Sequence, residues 1–377
     1  MNITGQITGI KYKVLLSEDL QTVDINKFNI NKVPSSCLLK DGKSSFAISK
    51  WVSPKRTRSY PYERVYNTLN TSKKITVIPI IKDEGFDGDR DFLQWDTVSL
   101  MSLLDVFVIF AYYDKATKNY NYENKITDFQ FDNNYVLFKI KEIEQYHSSA
   151  LHWNLNELKN NLHNIVDMAK KGYLKIEKQT GVLLHNQAGI ENFKKKIGRD
   201  VVVFMEFSRE KAQKAQAREM QTTQPKESLS THTKAKITIT NYLGGQYFFT
   251  VDEVLIDKDM VYLIESKHSK QSVLPSKGDI KDGLLKMILY SNLCEVEIDE
   301  KKMKSKAVLK LTSEKLKGEI TSEVPIWERA SFLLDNNFSQ EQIKAIDVLL
   351  DEGIENGFEV RIGNIDKLIK QNKQDNK

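Results

Sequence analysis

Two acids and a lysine, Asp252, Glu265 and Lys267, lie within a β-rich, largely apolar stretch that runs from Tyr247 to His268. Carboxylate oxygens are the ligands that hard divalent cations prefer. A lysine ammonium group can orient a water molecule or stabilise charge that develops on a phosphate. These residue types are therefore suited to metal-assisted phosphate chemistry, provided that the fold brings them together.

The sequence predicts that the two strands of a hairpin position these side chains. Two β-rich apolar runs flank a polar turn, which is typical of a hairpin. With the turn centred at Lys258–Asp259, Asp252 faces Glu265 across the strand pair. Lys267 lies on the same face, because side chains alternate along a strand. A turn with an odd number of residues would shift the pairing by one and turn Glu253 towards the site instead.

Directly opposed carboxylates need a compensating partner. Their Cβ atoms lie about 4.5–5.5 Å apart, and like charges at that distance destabilise a sheet. A divalent cation held by Asp252 and Glu265 would remove the repulsion. Oxygen ligands favour Mg²⁺, with Mn²⁺ as a substitute, and a protonated lysine cannot be a ligand. The alternative is a surface hairpin whose acids are simply solvated.

The spacing Asp-x12-Glu-x-Lys, with hydrophobic residues around both acids, resembles the active-site signature of the PD-(D/E)XK nuclease superfamily. The resemblance covers roughly the last half of the chain, and Val251 stands where the family often has proline. It implies that Asp252 and Glu265 hold the metal and that Lys267 activates or positions the attacking water. Within the superfamily, the chain is most like a type II restriction endonuclease.

The neighbouring segments supply the order helix–strand–strand–strand–helix–strand that this family shows. A helix is predicted over 208–222, a strand over 236–242, a second helix over 279–292 and a closing strand over 306–312. The expected fold class is therefore α/β (α+β), with a mixed central sheet flanked by helices as in a restriction-endonuclease-like core.

Lys286 and Tyr290, one helical turn apart in the second helix, resemble the (Gln/Lys)-x3-Tyr element that some superfamily members carry beside the active site. The resemblance implies that Lys286 contacts DNA, and Tyr290 is a further candidate site residue together with Glu253. The alternative is a solvated lysine followed by a packed tyrosine.

A basic and aromatic segment lies in the first third of the chain, at 50–64 (KWVSPKRTRSYPYER). Arginine forks and aromatic rings suit phosphates and bases. The segment predicts DNA contacts by Lys55, Arg56, Arg58 and Arg64. The alternative is a solvated loop whose tyrosines pack back onto the domain.

Three parts are predicted along the chain. Residues 1–200 form a β-rich DNA-recognition unit, residues 201–325 form the nuclease core and residues 326–377 form a C-terminal helical extension. Two local predictions bear on the boundary between the first two parts. A hairpin is predicted over 173–184, after a helix that stops at Gly172, and a buried strand is predicted over 201–207.

Composition places the chain among ordinary globular proteins. Of its 377 residues, 40% are hydrophobic and 28% are charged, and the net charge of +5 is compatible with a phosphate-rich partner. The two cysteines predict neither a disulfide framework nor a zinc site. The first residues lack the features of a signal peptide, and no apolar run is long enough to cross a bilayer. The expected location is the cytoplasm, with no membrane contact.

The expected function is Mg²⁺-dependent hydrolysis of phosphodiester bonds in double-stranded DNA by a sequence-specific restriction endonuclease. The sequence has no phosphate-binding loop of the type G-x-x-x-x-G-K-[ST], so ATP-driven translocation is not expected. Cutting both strands at a palindrome would favour a homodimer. Two alternatives stay open: a structure-specific repair or recombination nuclease of the same superfamily, and a non-catalytic nucleic-acid-binding protein whose acids are structural.

Overall fold

A computed structural model describes residues 1–42, 44–54, 61–197, 201–221 and 233–364. The chain divides into two compact units, one of residues 18–210 and one that combines residues 1–17 with 211–377. The sequence predicts boundaries near residues 200 and 325. Three of the predicted DNA contacts, Lys55, Arg56 and Arg58, lie outside the described residues.

The described part of the chain contains ten α-helices and seventeen strands, whose bounds are as follows. The helices are α1 (Pro61–Tyr66), α2 (Trp95–Leu103), α3 (Asn133–Glu144), α4 (Ala150–Asn160), α5 (Leu162–Thr180), α6 (Ala188–Ile197), α7 (Val201–Gln221), α8 (Lys277–Ser291), α9 (Ile326–Asp335) and α10 (Gln340–Asn356). The strands are β1 (Asn2–Ile7), β2 (Thr22–Asp24), β3 (Ser36–Asp41), β4 (Ser44–Lys50), β5 (Lys74–Pro79), β6 (Ile81–Asp83), β7 (Arg90–Phe92), β8 (Val106–Ala111), β9 (Tyr113–Lys118), β10 (Ile126–Phe131), β11 (Thr233–Asn241), β12 (Gln246–Asp257), β13 (Met260–Ser269), β14 (Cys294–Ile298), β15 (Lys301–Ser313), β16 (Glu319–Thr321) and β17 (Glu359–Gly363).

The unit of residues 18–210 is built on a five-stranded sheet with the order β2-β3-β4-β5-β8, in which β4, β5 and β8 are parallel. Every residue of β5 and β8 is buried, as expected for parallel strands covered on both faces. The edge strand β8 is closed by α4. The Asn154 side chain accepts from the Val108 N–H at 2.7 Å, and the Trp153 indole donates to the Val108 carbonyl at 2.9 Å.

Two local predictions in this region are wrong. Residues 173–180 continue α5, and the helix ends instead at Gly181, which has the left-handed φ of 66°. Gly172 is a point of close approach and not a stop, since a Cβ there would lie 2.4 Å from the Tyr113 carbonyl oxygen. The apolar run 201–207 is the first part of α7 and not a strand, because short apolar runs do not distinguish a strand from a buried helical turn.

The second unit is built on an eight-stranded mixed sheet with the order β13-β12-β11-β1-β14-β15-β17-β16, and β13 also pairs with β15. The predicted hairpin, the strand before it and the closing strand are confirmed as β12–β13, β11 and β15. The helix α8 and the strand β14 lie between β13 and β15 in the sequence, and these two strands pair in parallel. The helix α10 begins at a capping box formed by Ser339 and Gln342. The chain is thus a mixed α/β protein with helices beside a mixed sheet.

Candidate active site

The hairpin has the register that an even turn requires. Ile256 lies opposite Val261, and Lys258 in the two-residue turn has a φ of 54°. Continued outward, this register brings Asp252 opposite Glu265. The two strands also meet directly at this point, because the Ser266 N–H donates to Asp252 Oδ2 at 3.0 Å. The two acids are therefore brought together by backbone pairing alone.

The helix α8 approaches this face of the sheet at Gly283. A Cβ on Gly283 would lie 2.8 Å from Leu309 Cδ1 and 3.4 Å from Lys267 Cε. Glycine lets the helix come this close without displacing the end of the Leu309 side chain. The approach places the residues before and after Gly283 on the helix, Asp282 and Lys286, within reach of the hairpin side chains.

Glu265 is the centre of the resulting cluster. Its side chain is 1% exposed, and each of its two oxygens lies beside an ammonium group: Lys267 Nζ is 2.9 Å from Oε1, and Lys286 Nζ is 2.7 Å from Oε2. Lys267 Nζ is also 3.0 Å from Asp282 Oδ2. Two lysines thus balance the negative charge of Glu265, a part that the sequence analysis gives to a divalent cation.

The electrostatics of the cluster keep its charges fixed. Burial raises the pKa of Glu265, but the charges of Lys286 and Lys267 outweigh it and leave the pKa below its usual value. Burial lowers the pKa of both lysines, and the neighbouring carboxylates again reverse the effect. Near neutral pH, Lys267 is therefore a cation and not a free base.

Asp252 behaves differently. Burial and the negative charge of Glu265 raise its pKa to about 7, despite the opposing effects of Lys286, the Ser266 N–H and Lys267. When Asp252 is protonated, the two remaining acids of the cluster, Glu265 and Asp282, balance the two lysines. When Asp252 ionises, one negative charge is left over, so the cluster attracts a cation near and above neutral pH.

The pKa of Asp252 predicts how stability depends on pH. An unfolded aspartate has a pKa of about 3.9, so between about pH 4 and pH 7 the folded state binds more protons than the unfolded state. In metal-free buffer we expect Asp252 to reduce stability progressively over this range. Asp252→Asn should therefore have nearly the wild-type melting temperature at pH 4 and a higher one at pH 8. If the melting temperatures of the variant and the wild type differed by the same amount at pH 4 and at pH 8, the raised pKa of Asp252 would be contradicted.

Glu253 lies on the opposite face of the sheet. Its carboxylate accepts from Lys310 Nζ at 2.9 and 3.0 Å and from Ser266 Oγ at 3.0 Å, and both charged side chains are 10% exposed. Glu253 is thus engaged in a buried ion pair of its own, and Asp252 is the acid that shares a face with Glu265.

The remaining candidates are placed as follows. Lys286 lies against Glu265 and not at the surface, and the buried Tyr290 is close enough to raise the pKa of Lys286. Arg64 lies in the other unit, where it donates to the Lys50 carbonyl at 2.8 Å. Asp282 was missed by the sequence reasoning. Its position four residues before Lys286, on the same helical face, is the signal that could have found it.

The residues at this site fit a magnesium ion. Mg²⁺ is commonly bound by one or two carboxylates and completes its coordination with waters and substrate phosphates. Asp252 and Glu265 supply that set. Burial and the charge of Glu265 raise the pKa of Asp252, so a bound cation would stabilise its ionised form. Within the described ranges, no group of three or more histidines, cysteines or acids is close enough to hold a metal ion by itself.

Comparison with known proteins adds no relative. No family model, no curated protein and no solved structure matches this chain. Among the helices in the described part of the chain, none is both long and apolar enough to cross a membrane. Function must therefore be argued from the site itself.

Proposed function

We propose that this protein is a divalent-metal-dependent DNA endonuclease, built on a restriction-endonuclease-like core that comprises α7, the strands β11–β13, α8 and β15. The observation that carries the proposal is the convergence of Asp252, Glu265 and Lys267 on one face of adjacent strands. An acid whose pKa is raised to about 7 by burial and by the charge of a second acid is typical of functional sites.

Each residue has a distinct part in the proposed reaction. Asp252 and Glu265 would hold Mg²⁺, which supplies Lewis-acid stabilisation of charge on the phosphate and a more acidic water. The Ser266 N–H fixes the orientation of the Asp252 carboxylate. Lys267, kept protonated by Glu265 and Asp282, can orient the attacking water and stabilise the charge that develops on the scissile phosphate.

One observation favours a second candidate. Because lysines already occupy both oxygens of Glu265, the cluster could be a structural ion-pair network in a protein that binds nucleic acid without cutting it. Buried ion-pair networks perturb pKa values as active sites do. The two candidates differ in one measurable property, which is turnover of DNA that depends on a metal ion.

The test is incubation of the purified full-length chain with long duplex DNA in Mg²⁺, in Mn²⁺ and in excess chelator. We expect cleavage with either metal and none in chelator. Discrete bands would indicate a sequence-specific restriction enzyme, whereas cleavage confined to flap or junction DNA would indicate a structure-specific nuclease. Binding of DNA without cleavage of any of these substrates would exclude the nuclease and leave the binding protein.

A further inference from the structure

A cavity of about 560 Å³ lies in the unit of residues 18–210, well away in sequence from the candidate active site. Its lining includes Lys50, the last residue of β4, and Trp51 after it. It also includes Lys82, in β6 just after β5, and Tyr113, the first residue of β9 just after β8. The strands β4, β5 and β8 are parallel, so the cavity lies at their carboxyl ends. That is the edge at which open α/β sheets bind ligands.

The inner wall of the cavity carries two cations that lack a paired carboxylate among the described residues. Lys50 Nζ donates to the carbonyls of Ile30 and Val33 at 2.8 and 2.6 Å, and Arg64 donates to the Lys50 carbonyl. Burial and the charge of Arg64 lower the pKa of Lys50. Burial also lowers the pKa of Arg64, and the neighbouring Glu63 offsets this only in part. An anion placed beside Lys50 and Arg64 would offset the cost of burying these two cations.

A buried donor lies next to these cations. Trp51 is 1% exposed, and its indole N–H makes no hydrogen bond within the described ranges. Buried polar groups without a partner are uncommon in folded proteins and call for an explanation. Because Trp51 lines the cavity, a ligand oxygen placed there would supply the missing acceptor.

The cavity lining also includes aromatic residues. Tyr113, which is buried, stacks on Phe131 with ring centroids 4.6 Å apart and lies 4.9 Å from Phe129. Lys82 lies 5.3 Å from the Phe129 ring and is paired with Glu84 at 2.7 Å. Tyr122 is 57% exposed and has Lys125 at 4.7 Å from its ring. The partly exposed rings of Phe129 and Tyr122 offer aromatic surface to a planar ring.

We propose that this cavity is a binding site for a single nucleotide. Its volume lies within the range of about 300–1,000 Å³ that small-molecule sites occupy. The phosphate would lie against Arg64 and the Trp51 N–H, since a guanidinium fork suits phosphate oxygens. The base would lie against the ring of Phe129. The nucleotide could be free in solution or could be one that is turned out of a DNA strand, because the chemistry that recognises it is the same.

The test is calorimetric titration of the full chain in chelator, where no cleavage can occur, so the result does not depend on the proposed nuclease activity. The first series uses the four deoxynucleoside 5′-monophosphates, the matching nucleosides and inorganic phosphate. The second compares a perfect duplex with the same duplex carrying one mismatched base. We expect binding of at least one monophosphate, or a preference for the mismatched duplex, and at least tenfold weaker binding of nucleoside and of phosphate alone.

Two variants and one control locate the binding. Arg64→Gln removes the cation, and Trp51→Phe removes the indole N–H but keeps an aromatic ring. Each should weaken binding at least tenfold, whereas Lys178→Gln, which removes an exposed lysine from α5, should leave it unchanged. If the two variants bind the free monophosphate more weakly than the wild type, the site takes a soluble nucleotide. If they lose only the preference for the mismatched duplex, the site takes a nucleotide of DNA. Trp51→Phe that melts like the wild type and binds equally well would overturn the proposal, as would a wild-type protein that binds neither probe.

Discussion

Lys267→Ala should lower the rate of Mg²⁺-dependent DNA cleavage by about 10²–10³, the loss that follows removal of one group that stabilises transition-state charge. The variant leaves Glu265 paired with Lys286 at 2.7 Å, so it does not leave the buried acid without a partner. We therefore expect the fold and the affinity for DNA in chelator to be retained. Single-turnover cleavage rates and melting curves measure the two effects separately.

Lys304→Ala is the matched control, since Lys304 lies in β15 of the same sheet but is 75% exposed. It should cut DNA at the wild-type rate. Glu265→Gln should be as inactive as Lys267→Ala and less stable, because the buried Glu265 is paired with two lysines. Wild-type cleavage by Lys267→Ala would rule out the assigned site, whatever activity the protein has elsewhere.

Asp282 acts through Lys267 and is therefore a positioning residue. Asp282→Asn should cost about 10–100-fold in activity, the usual effect of removing a group that orients another functional side chain. It also removes a charge that raises the pKa of Lys267, so the loss of activity at alkaline pH should begin at a lower pH than in the wild type. A merely structural Asp282 would change stability and leave the pH profile in place.

The hairpin could be predicted from the sequence because its register depends on neighbouring residues. The even turn at Lys258 and the alternation of the two strands are local features, and they are sufficient to bring Asp252 opposite Glu265. The lysines beside Glu265 could not be placed in the same way. Whether Lys286 lies beside Glu265 depends on how closely α8 approaches the sheet at Gly283.

Other features depend on contacts between distant parts of the chain, which periodicity does not reveal. The strand β1 alternates between exposed and buried residues, yet its parallel partner is β11, more than two hundred residues later. Its pairing joins residues 1–17 to the unit of residues 211–377. The apolar run at 201–207 was ambiguous for a local reason. Its composition fits a strand, but the residues that follow it up to Gln221 continue it as a helix.

Glu253→Ala should destabilise the protein by about 3 kcal/mol, the lower end of the cost of breaking a buried ion pair. Removal of Glu253 leaves the buried Lys310 without the carboxylate that now accepts its two hydrogen bonds. Glu319, whose pKa is affected by Lys310, is close enough to offset a part of the cost. Chemical denaturation at pH 7 measures the difference in unfolding free energy directly.

A comparison of Glu253 with its neighbour Asp252 tests the register of the site. Asp257→Ala, which removes an exposed acid from the same strand, should change stability by no more than about 0.5 kcal/mol. Asp252→Asn should raise stability at pH 8 and abolish cleavage, whereas Glu253→Ala should lower stability and still cut DNA at temperatures where it is folded. If Glu253→Ala were instead inactive at full stability and Asp252→Asn remained active, the acid that serves the reaction would be the one on the opposite face of the sheet.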